Sequence, residues 1–315
     1  EYKGVSIIIC SYNGIARLES TLKALSELDT TNIPFVELIF VDNASTDNTL
    51  SFASEKWKML GEPFKAQFLN ESIPGKLFAQ ETALKFVKGK YVLICDDDNA
   101  LFPDYLKIGY HYFETNSKIG VLGGRGVGVS TIGFPEWFED YIYFYGCIQQ
   151  APQTGNVKGY RNVIHGAGMM FRYAPYLKAK ELGYSFILKS REGNKLSTGA
   201  EDSELCWMLI YQGYEVWYID EMKFYHHITE NRLTIQYREK LVWGMYEGGL
   251  IASIHFRVWS GKINKPINLF WFKEVIYSLI YLAEIPFLNK KINLKSFEAK
   301  RTLNNIKILL KEHYE

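Results

Sequence analysis

The chain has 315 residues, 47% of them hydrophobic, enough to bury a large core and to form one sizeable α/β domain with an appendage. Its formal net charge is +1, which excludes the broad basic field of a nucleic-acid-binding protein, so any charge signal has to be local. The four cysteines (Cys10, Cys95, Cys147, Cys206) show no paired spacing and fit reduced thiols in a cytoplasmic compartment. No window of about 18 apolar residues suggests a membrane span, and the first residues open on a strand-like run without a signal-peptide pattern.

Short β-branched runs alternate with longer helical patterns. The spacing predicts strands over 5–10, 35–41, 66–69 and 91–95, separated by helices over 15–28, 46–60 and 76–87. Strands joined by helices of that length form right-handed βαβ units and a parallel sheet, and such sheets bind ligands beyond the carboxyl ends of their strands. Three of those ends carry polar clusters: Ser11-Tyr12-Asn13, Asp42-Asn43 and Asp96-Asp97-Asp98-Asn99. They should meet in one crevice. A strand over 119–123 comes next, and then the regularity fails in a glycine- and aromatic-rich stretch reaching about residue 160. There Trp137, Phe138, Tyr141, Tyr143 and Tyr145 read as packing more than as a stacking surface for sugar rings. Gly123-Gly124-Arg125-Gly126 does not complete a dinucleotide fingerprint, because Val129 stands where its third glycine belongs. A helix over 201–212 leads into a strand over 215–219, and helices fill the rest. A boundary near 230 divides a catalytic domain, 1–230, from a C-terminal helical region, 231–315.

Three consecutive carboxylates at a buried strand end repel one another and call for a counter-charge. Hard oxygen ligands suit Mg²⁺ or Mn²⁺, which also bind a diphosphate. A solvated acidic turn capping the helix near Pro103 is the plainer alternative. Glu201-Asp202 opens a helix, where acids often serve only as caps, yet it is also the one other compact acidic cluster in a polar, glycine-flanked setting, as a general base requires. Lys76 is either a counter-charge for phosphates or an exposed helix lysine. His165-Gly166-Ala167-Gly168 is either a close-approach segment for a sugar or a turn. In His226-His227, one ring, taken as His227, would complete a metal shell or touch a phosphate.

Together, Val5-Ser6-Ile7-Ile8-Ile9-Cys10-Ser11-Tyr12-Asn13, Val41-Asp42-Asn43-Ala44-Ser45-Thr46-Asp47, the Asp-x-Asp of Asp96 and Asp98, and Glu201-Asp202 make a pattern that resembles the family 2 glycosyltransferases over roughly residues 4–230. The resemblance implies a GT-A fold, a Rossmann-like, mostly parallel sheet flanked by helices, with a C-terminal helical extension here. It implies an inverting transfer from a nucleotide-diphosphate sugar, a UDP-sugar favoured, to a hydroxyl of a saccharide or lipid-linked saccharide. Ser11, Tyr12, Asn13, Asp42 and Asn43 would hold the nucleoside, with Lys76, Asp96 and Asp97 also on the donor. Asp96 and Asp98, with His227, would hold Mn²⁺ or Mg²⁺, Asp202 would be the base, and Glu201 would assist it. A nucleotidyltransferase on a similar sheet and an inactive sugar- or nucleotide-binding module are the rivals. Residues 262–311 carry ten Lys or Arg against three Glu, and the stretch 270–285 keeps a broad apolar face, so peripheral contact with an anionic membrane is expected beside packing on a protein surface.

Overall fold

The computed structural model describes residues 3–186 and 201–242. In chain order the elements are β1 (Val5–Ser11), α1 (Ile15–Ser26), β2 (Val36–Asn43), α2 (Thr49–Met59), β3 (Lys65–Glu71), α3 (Lys76–Leu84), β4 (Tyr91–Ile94), β5 (Asn99–Leu101), α4 (Tyr105–Thr115), β6 (Ile119–Val129), α5 (Phe138–Tyr141), β7 (Gly155–Asn156), β8 (Met170–Arg172), α6 (Tyr173–Glu181), α7 (Glu201–Tyr211) and β9 (Glu215–His227). Short 3-10 turns cover Ile142–Tyr145 and Glu230–Arg232, and residues 235–242 are helical.

One sheet runs in the order β3-β2-β1-β4-β8-β6-β9-β5, with β7 paired to β9. Strands β1 to β4 are mutually parallel, as the βαβ spacing predicts. Strand β8 lies antiparallel between β4 and β6, while β5 and β7 run antiparallel to β9, so the second half of the sheet is mixed. Alternation along the strands divides the core into two layers. Ile7, Ile9, Leu38, Phe40 and Leu93 face a layer with α1, α2 and α4 that holds Leu18, Leu22, Leu25 and Trp57. Ile8, Ile39, Val41, Val92 and Ile94 face the other layer, with α3, α6 and α7. Apolar residues on both faces are why β1 reads as a continuous hydrophobic run. Trp57 is fully buried, and its truncation to alanine is expected to cost about 3–5 kcal/mol.

Several elements exceed or escape the sequence reading. Strands β6 and β9 extend well beyond 119–123 and 215–219 because they pair with each other, with register shifts between Ile119/Val121 and Gly123/Arg125. Helix α6 and strands β5, β7 and β8 carry little periodic signal of their own. The expected helices beyond 242, the apolar face of 270–285 and the basic stretch 262–311 lie outside the described residues. Among the described residues, no helix is long and apolar enough to cross a membrane.

Candidate active site

The carboxyl ends of β1, β2 and β4, the N-termini of α3 and α7, and the chain after β9 enclose a cleft of about 850 Å³. That volume lies within the range of pockets that take cofactor-sized ligands. Ser11, Tyr12, Asn43, Lys76, Asp96, Asp97, Asp98, Glu201 and Asp202, all singled out from sequence, line it together. Asn13 and Asp42 do not. Asn13 adopts a left-handed backbone, φ 48°, and its side chain is consumed by the next loop: Oδ1 accepts from the Thr46 amide at 2.8 Å. Asn13 therefore ties two strand-end loops together instead of facing the cleft. Asp42 stands opposite Ser11 in the β1–β2 register, is buried, and its Oδ1 has no hydrogen-bond partner among the described residues. A buried carboxylate oxygen in that state needs a donor. Asn43 braces the loop before α3, donating to the Ile73 carbonyl and accepting from the Gly75 amide, both at 2.8 Å.

The acidic triplet is not left to a metal for its counter-charge. Each carboxylate has its own cation from a different element. Lys76 of α3 pairs with Asp96 at 2.6 Å, Arg17 of α1 with Asp97 at 2.7 Å, and Arg232 with Asp98 at 2.5 Å. Ser11 Oγ also donates to Asp97 at 2.6 Å. Gly14 makes this junction possible, because a Cβ there would sit 1.9 Å from Ser11 Oγ and 2.9 Å from Asp97 Oδ2.

Of the two histidines that end β9, the cleft lining includes His226 and not His227. Successive strand residues point to opposite faces, and it is His226 whose ring enters the cleft, Nε2 lying 3.4 Å from Asp98 Oδ1. The main chain of His227 contributes instead, its amide donating to the Asp98 carbonyl at 2.9 Å. Burial opposes a charge on His226, but the Asp98 carboxylate outweighs it and raises the ring to about 10. Arg232, whose burial likewise opposes its charge, is also held firmly protonated by Asp98.

On the opposite wall, Asp202 Oδ2 accepts from the Gly166 amide and Oδ1 from the Ser203 amide, each at 2.7 Å. Burial, reinforced by the charge of Glu201, pushes its carboxyl up to about 7. It is both a helix-start acceptor and a carboxylate tuned to exchange a proton near neutrality. His165 also lines the cleft, its Nε2 3.0 Å from an Arg161 guanidinium nitrogen.

Arg17, Arg161 and Arg232 escaped the sequence reading, which named the His226-His227 pair but took His227 as its ring. Arg17 had a faint signal, standing on the first turn of a helix that starts beside a polar strand end. Arg232 had none: 134 positions separate it from the carboxylate it meets.

The family model described as Glycosyl transferase family 2 matches residues 6–176, more than half of the chain. Poly-beta-1,6-N-acetyl-D-glucosamine synthase of Staphylococcus epidermidis is 25% identical over 221 residues, which are 67% of this chain and 51% of that protein. The putative teichuronic acid biosynthesis glycosyltransferase TuaG of Bacillus subtilis is 32% identical over 103 residues, 33% of this chain and 39% of that protein. This chain thus spans about half the length, or less, of these curated relatives. Among solved structures, S. aureus TarS 1-349 in complex with UDP superposes with a TM-score of 0.54 at 16% identity, over 99% of this chain and 91% of that one. The complex of TarS 1-349 with UDP-GlcNAc gives 0.52 at 20% identity, over 72% and 58%. That likeness identifies the fold as the GT-A arrangement the sequence motifs implied, and the motif-bearing strand ends fall within the matched residues. The chain belongs to glycosyl transferase family 2.

Proposed function

We propose that the chain transfers a sugar from a nucleoside-diphosphate donor to an acceptor hydroxyl, inverting the anomeric carbon, with Asp202 as the base. The observation that carries this reading is a buried carboxylate tuned to about 7 across a nucleotide-sized cleft from the strand-end cluster of Ser11, Asn43 and Asp96. A base near the working pH is half ionised, so it takes a proton readily and still drives the transfer. Glu201 beside it raises Asp202 and orients the acceptor. The names of the relatives, two of which act with N-acetylglucosamine, favour a UDP-linked amino sugar as donor and a surface polysaccharide, free or lipid-linked, as acceptor.

Among the described residues no group of three or more His, Cys, Asp or Glu is arranged to hold a metal ion by itself. The donor set still fits Mg²⁺ or Mn²⁺ of the kind that binds one or two carboxylates and completes its shell with substrate phosphates. Asp96 and Asp98 would hold it, and it would neutralise the departing diphosphate. Their present partners, Lys76 and Arg232, then become available to phosphate oxygens, Arg232 by a forked contact. The basic stretch 262–311 supports work at the cytoplasmic face of a membrane.

The test is a panel of nucleotide sugars, scored for release of free nucleoside diphosphate with Mn²⁺ or Mg²⁺, with and without short glycan acceptors. Acceptor-stimulated release from one donor is expected. Release from none, with tight binding of a nucleoside triphosphate and liberation of pyrophosphate instead, would overturn it in favour of nucleotidyl transfer.

A further inference from the structure

The ring of His165 is held in a way that catalysis by Asp202 does not explain. Arg161 approaches its Nε2 at 3.0 Å and donates to the Tyr143 hydroxyl at 3.1 Å, while its guanidinium lies 5.0 Å from the Tyr143 ring centre. The Tyr143 ring also meets the imidazole edge-on at 5.4 Å. A guanidinium has donors and no acceptor, so Nε2 must present its lone pair, and the proton of the neutral ring must sit on Nδ1. Nothing among the described residues accepts a hydrogen bond from Nδ1. The space before it is kept open by Gly146, which has φ +66° and where a Cβ would stand 3.1 Å from Nδ1. Both residues line the cleft. Meanwhile the His165 amide donates to Gln150 Oε1 at 2.7 Å, and the next amide, Gly166, holds Asp202. The ring is thus held by Arg161 and Tyr143, and the amide of the next residue binds the carboxylate of Asp202.

We propose that His165 is an acceptor-binding residue whose Nδ1–H takes a hydroxyl oxygen of the acceptor sugar beside the one Asp202 deprotonates, and that Arg161 is the positioning residue that fixes this tautomer. The identity of the ligand rests on the transferase reading; the tautomer does not. The groups facing the ring are Arg161 and Tyr143 on its Nε2 side, His226 of β9 with Cys147 against it at 3.8 Å, and Asp202 of α7 through Gly166. Burial first, then the charges of Arg161 and His226, push the imidazole down to about 3. It therefore stays neutral through the working range, where an Nδ1–H donor is available without a charge that would repel the cations of the donor site.

Two measurements test this. In ¹⁵N-histidine-labelled protein, with the His165 signal assigned by its loss in His165→Asn, two-bond ¹⁵N–¹H correlation spectra should show the Nδ1–H tautomer unchanged from pH 5 to 9. In Arg161→Met the Nε2–H form should appear and the ring should titrate higher than in the wild type, with burial and the His226 charge still holding it below the ordinary imidazole value, and Arg161→Lys should restore the wild-type pattern. An Nε2–H ring in the wild type, or one that titrates above pH 5, overturns the inference whether or not any sugar is transferred.

The second measurement is steady-state kinetics with the donor and acceptor found active. Arg161→Met should raise acceptor KM about fivefold at pH 8, the scale of one hydrogen bond, with UDP affinity unchanged. His165→Ala should show the same loss at every pH, and His165→Asn, whose amide nitrogen stands where Nδ1 stood, should recover most of it. A rise in donor KM alone, or an acceptor KM that Arg161→Met leaves unchanged, overturns the assignment. Failure of every donor and acceptor with the tautomer intact counts against the transferase reading and not against the Arg161–His165 pair.

Discussion

Asp202→Asn separates proton transfer from packing, but the structure makes it less innocent than a change of one atom suggests. Both carboxylate oxygens accept from main-chain amides, Gly166 on Oδ2 and Ser203 on Oδ1. An asparagine has one acceptor atom, so its NH₂ group must face one of those amides and leave it unsatisfied, which costs about 1–3 kcal/mol. Thermal unfolding should therefore shift to lower temperature while UDP affinity, measured by calorimetry, stays within a few-fold. Transfer at saturating donor should fall by about 10²–10⁴, the contribution of a positioned base. The wild-type rate carries a second signature. With the folded carboxyl at about 7, kcat/KM should fall about tenfold per unit on the acid side of that value, as the base is protonated. Glu201→Gln should lose less and should move this acid limb to lower pH, because it removes the neighbouring charge that helps raise Asp202. An Asp202→Asn enzyme active within a few-fold of wild type, or a profile flat between pH 6 and 8, would refute the base assignment.

Arg232→Met leaves Asp98 buried without its guanidinium, and loss of one partner from such a pair costs about 3 kcal/mol; lowered stability together with weakened UDP binding is expected in denaturation and calorimetry. Stability loss alone, with full UDP affinity, would confine Arg232 to a structural task. Gly14→Ala inserts a Cβ into the Ser11–Asp97 contact, so the start of α1 must shift, with a destabilisation of about 1–3 kcal/mol and a loss of UDP affinity. Unchanged thermal stability would show that α1 gives way freely. Since the acidic triplet already has three cations, Mn²⁺ alone should bind weakly, and UDP with Mn²⁺ should bind much more tightly than either component; equal UDP affinity with and without the ion would remove Asp96 and Asp98 from metal binding.

Much of the first half of the fold is written locally. A buried parallel strand has to be apolar on both faces, so β1, β2 and β4 stand out as β-branched runs, and α1 and α2 between them show the spacing of one buried face. Because a parallel βαβ unit always delivers its carboxyl ends to one edge, the convergence of Ser11, Asn43 and Asp96–Asp98 followed from the order of those elements alone. The Glu201-Asp202 pair was legible for another reason, being charge placed at the start of an otherwise apolar helix.

What the chain could not reveal locally is which side chains close that edge from afar. Strand β9 more than doubles its expected length because β6 lies along one side of it and β5 and β7 pair on the other, and that pairing brings His226 into the cleft lining; a one-residue choice of face leaves no trace in composition. The triplet of aspartates reads from sequence as a charge awaiting a metal, yet Lys76, Arg17 and Arg232 arrive from 20, 80 and 134 positions away to neutralise it. The tautomer of His165 is likewise set by an arginine four residues earlier only because a turn folds the guanidinium back onto the ring. Periodicity is a property of neighbours along the chain, whereas ion pairing and the choice of a histidine proton depend on distances of a few ångströms between segments that only tertiary packing brings together.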